Sequence, residues 1–93
     1  MPRKVSIPAL RRHIDRIDDQ LLRLLNERAA LAVSIAEQKA RTNSGVYAPG
    51  RERGVLTRLA RANRGPLPAQ HVRAIFREII SASTAASGRS NSR

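Results

Sequence analysis

A long helical stripe from Ile7 to about Arg41, mostly apolar, constrains this chain more than any other feature. Ile7, Leu10, Ile14, Ile17, Leu21 and Leu24 recur at alternating steps of three and four, which places them on one helix face. No Gly interrupts the run, and Pro8 falls in the first turn, where a helix tolerates it. In the same register Arg28 lands on the stripe, followed by Leu31, Ile35 and, at its edge, Lys39. At 1.5 Å per residue such a helix is about 50 Å long. A compact monomer of 93 residues has a radius of gyration of only roughly 12 Å. The helix overshoots any globule its own chain could form, so a partner helix is expected, most simply from an identical chain.

Composition narrows the class. The length suggests one small domain, and the absence of Cys excludes a disulfide framework or a Cys-ligated metal. The opening MPRKVSIPALRRHI lacks the apolar core of a signal peptide, and no apolar run could span a membrane, so a cytoplasmic protein is expected. The formal charge of +11, from 18 Lys and Arg against 7 Asp and Glu, raises the question of nucleic acid. Tyr47 and Phe76 are the sole aromatics, too few for a base-stacking platform. The cations are scattered over every segment, and many sit near acids at helical spacing, as in Arg11–Asp15, Asp19–Arg23 and Arg23–Glu27. A solvated basic surface with a site for a small anion accounts for this better than a nucleic-acid groove does.

The pattern along the chain is all-α, with three helices at about 7–41, 50–63 and 67–86. Ser6 is a natural N-cap for the first, and Thr42 to Gly45 ends it with turn chemistry. In the second, Glu52, Val55, Leu56 and Leu59 fall at i, i+3, i+4 and i+7, so Glu52 heads an apolar face. Asn63 to Pro66 stops it, and Pro68 opens the third, whose stripe is Val72, Ile75, Phe76, Ile79 and Ile80, continued by Ser83. Residues 87–93 read SGRSNSR, a composition expected to form a disordered tail beyond a helical domain of residues 1–86.

Four polar residues occupy apolar positions: Arg28, Lys39, Glu52 and Ser83. Each has an ordinary reading: a snorkelling cation, a carboxylate answering a helix dipole, a Ser bonded back to its own helix. Together they are less easily dismissed, because buried charge without a partner costs several kcal/mol. A shared anionic ligand resolves the cations at once. Arg28 and Lys39 are close to three turns apart and face the same way, separated by about 16 Å along the axis. Arg11 borders the stripe but lies about 42 Å from Lys39, so it could share a small ligand with Lys39 only from an antiparallel partner helix. No nucleophile triad, metal-spaced His cluster or Gly-rich phosphate loop is present, and His13 and His71 are isolated. No metal or cofactor is expected, and any chemistry must rest on electrostatics and positioning.

The run ALRRHIDRIDDQLLRLLNERAALA, the Lys39 that follows, RERGVLTRL, GPLPAQHVRAIFREII and SAS resemble an all-helical chorismate mutase of the AroQ class. The similarity is closest to the mutase domain at the N-terminus of bifunctional mutase–prephenate dehydratase proteins, and it covers residues 7 to about 85. The resemblance implies an intertwined homodimer of three-helix subunits and the Claisen rearrangement of chorismate to prephenate. It implies that Arg28, with Arg11 from the partner chain, clamps the two carboxylates, and that Lys39 reaches the ether oxygen. It further implies that Arg51 supports the anionic end, Glu52 accepts a hydrogen bond from the ring hydroxyl, and Ser83 touches a carboxylate.

Two positions depart from the family pattern. Ala48 stands where an Asp is common, leaving Glu52 as the acceptor. Ser87 stands where a Gln or Glu supplies a second hydrogen bond to the ether oxygen, and Ser is too short to do so without a bridging water. Slow turnover is therefore an expectation. Two rivals remain: an isochorismate–pyruvate lyase-like enzyme, against which the Arg51–Glu52 pair argues, and a weakly active or non-catalytic helical dimer with a regulatory or nucleic-acid-binding role.

Overall fold

The computed structural model describes residues 5–42 and 49–91. Three helices account for nearly all of them: α1, Ile7–Thr42; α2, Pro49–Ala62; and α3, Ala69–Asn91. No strand occurs among the described residues. Ser6 caps α1 as its sequence suggests, accepting on Oγ from the Ala9 amide at 3.2 Å while its carbonyl accepts from the Leu10 amide. Such a cap is worth about 1 kcal/mol because it satisfies amides that no earlier turn can reach.

The turn between α2 and α3 is held by Asn63. Its Oδ1 accepts from the Gly65 amide at 3.0 Å, and its Nδ2 donates to the Leu67 carbonyl at 2.7 Å. Gly65 has φ 79°, a backbone state that a side chain would strain. Pro68 then opens α3 by offering its carbonyl to the amides of His71 and Val72.

One boundary differs from expectation. α3 continues to Asn91 instead of ending near residue 86, so Ser87 to Asn91 are helical where a disordered tail was expected. Gly and Ser lower helix propensity without forbidding a helix, and no Pro intervenes to break the backbone ladder. Ser87 also satisfies its hydroxyl within the helix, donating to the Ser83 carbonyl at 3.1 Å. Of the turn expected at Thr42 to Gly45, Thr42 is the last residue of α1, and the rest, like Tyr47 and Ala48, lies outside the described residues.

Packing is lopsided. α3 packs against both α1 and α2, whereas α1 and α2 do not pack on each other among the described residues. Among the described residues the buried apolar side chains are Val55, Leu56 and Val72, none of them wholly sealed from solvent. The stripe of α1 stays open: Leu10, Ile14, Ile17, Leu21 and Leu24 are all exposed, Ile14 by 55%. The chain extends 61 × 29 × 16 Å with a radius of gyration of 17.4 Å, well beyond the roughly 12 Å of a compact chain this long. No helix among the described residues is long and apolar enough to cross a membrane.

Candidate active site

The polar residues that interrupt the apolar patterns converge where α3 meets the C-terminal half of α1. Arg28 and Lys39 of α1, Arg51 of α2, and Ser83 and Ser87 of α3 line one cavity of about 490 Å³. Eleven residues of α1 carry the two cations to opposite ends of that wall, separated by about 16 Å of helix axis. Ala32 and Ala36 lie between them, half-buried, and their small side chains let α3 approach α1. Leu31, Ile35 and Ile80 supply aliphatic walls. Three cations face this space and no carboxylate lines it among the described residues. Its chemistry fits a compact anion with an apolar body, held by charge from several directions and shielded on its sides.

Ser83 is the buried polar residue among those described, 5% exposed, and its hydroxyl accepts from Arg28 Nη1 at 3.0 Å. Fifty-five residues of sequence separate the two. Placing a hydroxyl on the α3 stripe therefore answers the cation on the α1 stripe.

Not every anticipated residue joins this cavity. Glu52, half-buried in the first turn of α2, lines a neighbouring cavity of about 510 Å³ with Ser81, Thr84 and Ala85. Ile80 and Thr84 border both spaces. Arg11 is exposed in the N-terminal half of α1, away from the cavity of its own chain. Ala48 lies outside the described residues. Thr84 carries no signal of its own in the sequence, although it follows Ile80 by one helical turn and so shares its side of α3.

The whole of this arrangement falls within residues 10–87, which match the family model described as chorismate mutase type II. The chain belongs to the chorismate mutase type II family. It is 47% identical over 81 residues to the bifunctional chorismate mutase/prephenate dehydratase of Aquifex aeolicus, a match spanning 83% of this chain and 22% of that protein. The corresponding bifunctional protein of Neisseria gonorrhoeae is 49% identical over 71 residues, 76% of this chain and 19% of that one. The chain thus spans about a fifth of the length of these curated relatives. Among solved structures, the chorismate mutase (form II) of Thermus thermophilus superposes with a TM-score of 0.84 at 37% identity. That likeness covers 89% of this chain and 94% of the Thermus chain. Three helices with no strand among the described residues agree with that family's fold as the Thermus structure represents it.

Within that family framework Ser87 is the position to examine. It lines the cavity, yet its hydroxyl proton is given to the Ser83 carbonyl. A short side chain whose proton is already engaged is a poor donor to a bound ligand. If this cavity takes chorismate, Ser87→Gln, which puts a long donor at the same wall, should raise kcat/KM by up to about 10²-fold, the scale of one well-placed donor. Steady-state kinetics of the two proteins, compared at equal protein concentration, reads the effect directly.

Proposed function

We propose that this chain is a chorismate mutase, converting chorismate to prephenate as a cytoplasmic homodimer that engages neither nucleic acid nor membrane. The observation that carries the reading is the convergence of Arg28, Lys39 and Arg51 on one aliphatic-walled cavity without a lining carboxylate among the described residues. Chorismate is a dicarboxylate with an apolar ring, and its rearrangement is unimolecular. No nucleophile is required. The enzyme has to hold the folded conformer and stabilise the negative charge that grows on the breaking ether oxygen.

In this reading Arg28 grips one carboxylate, its planar fork suited to bidentate contact. Arg11 of the partner subunit takes the other. Lys39 places a compact charge at the ether oxygen, where charge develops, and supplies the largest catalytic contribution. Arg51 supports the anionic end and Ser83 borders a carboxylate. Glu52, from the adjoining cavity that shares Ile80 and Thr84, accepts a hydrogen bond from the ring hydroxyl. Ser87 contributes weakly, if at all, for the reason given above.

The homodimer is supported by the open stripe of α1 and by the small core within one chain. A second α1 laid antiparallel on the stripe covers Leu10 to Leu24 and carries its own Arg11 toward Lys39. Two measurements test the proposal together: loss of chorismate absorbance in the presence of the protein, and its mass in solution by sedimentation. A monomer, or a dimer that leaves chorismate unchanged while releasing pyruvate from isochorismate, would refute it.

A further inference from the structure

We propose that Thr84 is a specificity-determining residue: its hydroxyl is a second hydrogen-bond partner, beside Glu52, for the ring hydroxyl of the substrate. The proposal deepens the mutase reading and rests on it for the identity of that substrate. Its basis is the surface of α3. Ser83 and Ser87, one turn apart, line the cation-rich cavity, while Ser81 and Ala85, also one turn apart, line the cavity that holds Glu52. Ile80 and Thr84 form the ridge between those two rows and border both spaces. Ile80 has no polar side-chain atom. Thr84 is therefore the one polar side chain among the described residues that lines both cavities.

A molecule held by Arg28, Lys39 and Arg51 that also reaches Glu52 has to lie across this ridge. Its ring hydroxyl gives a proton to the Glu52 carboxylate, which when ionised can only accept. The hydroxyl oxygen keeps its lone pairs, and a donor beside it completes the pairing. Thr84 has such a donor to spare. Ser87 gives its proton back to its own helix, at the Ser83 carbonyl. No hydrogen bond engages the exposed Thr84 side chain among the described residues. A contact of this kind is made in the bound ground state and kept in the transition state, so it acts on substrate binding and not on the chemical step.

Substitutions in the enzyme and in the substrate, combined in one cycle, test the contact. Thr84→Val removes the hydroxyl and keeps the branched shape. It should lower kcat/KM for chorismate by about three- to tenfold, the net scale of one neutral hydrogen bond, through KM with kcat nearly unchanged. Thr84→Ser, which keeps the hydroxyl, should retain most of the activity. With the chorismate analogue that carries hydrogen in place of the ring hydroxyl, Thr84→Val should change kcat/KM less than about twofold. Equal losses on both substrates would overturn the proposal, since they would trace the effect to packing. An undiminished rate on chorismate would overturn it as well.

A second readout needs no turnover. Calorimetry should show chorismate binding to Thr84→Val weaker by the same factor, about three- to tenfold. A chain that binds chorismate without converting it refutes the mutase reading, and this binding ratio then decides the role of Thr84 by itself. A chain that does not bind chorismate overturns both.

Discussion

Lys39→Ala should reduce kcat for prephenate formation by at least about 10²–10³-fold while the protein remains a folded helical dimer. About that much is lost when one group aimed at a developing oxyanion is removed, and here the group carries a full charge. The loss should fall on kcat more than on KM, because charge on the ether oxygen grows only as the bond breaks. Lys39 is exposed near the C-terminal end of α1, so its truncation creates no buried void and leaves the Val55, Leu56 and Val72 core untouched. Rate measurement beside circular dichroism and sedimentation makes the comparison. A Lys39→Ala protein that kept full activity would remove the electrostatic mechanism proposed for this cavity.

The second large effect is recovery of activity on mixing two inactive proteins. With Arg11 acting in the partner's site, Arg11→Ala and Lys39→Ala each disable both sites of their own homodimer. A heterodimer formed after mixing, dissociating and reassociating the two contains one site with both substitutions and one with neither. Random re-pairing of equal amounts places half the chains in such heterodimers, so total activity should return to roughly a quarter of the unsubstituted level. If Arg11 served its own chain's site, no mixed dimer could contain an intact one and the mixture would stay inactive. The roughly 42 Å of helix between Arg11 and Lys39 excludes that alternative on length alone.

Much of this architecture is legible in the residues because helix α1 advertises itself twice. Its 3–4 spacing specifies the helix, and its length specifies that one chain cannot cover it; the exposed Ile14 and Leu21 follow. The site is legible for a related reason. Arg28, Lys39 and Ser83 each break an apolar pattern, and the first two share a face by periodicity alone. What periodicity cannot supply is the pairing between elements. The bond from Arg28 to Ser83 joins α1 to α3 and depends on how the two helices pack. Glu52 breaks the pattern of α2 in the same manner, yet it borders the neighbouring cavity, since a register on one helix says nothing about which side of α3 it will meet. The end of α3 escapes a reading by composition because Ser and Gly speak only weakly against a helix. The hydroxyl of Ser87 finds an acceptor inside it.

The small core of Val55, Leu56 and Val72 carries a thermodynamic consequence. Apolar burial is the main favourable contribution to folding, and within one chain few side chains receive it. In the proposed homodimer the apolar surface that remains, along α1, is buried only when two chains meet. Folding and association are then a single equilibrium, second order in protein. Its midpoint shifts with concentration, as it does for proteins that have no stable folded monomer. For a dimer of this kind dilution acts as a denaturant, and the concentration of the chain sets both how much of it there is and what fraction is folded.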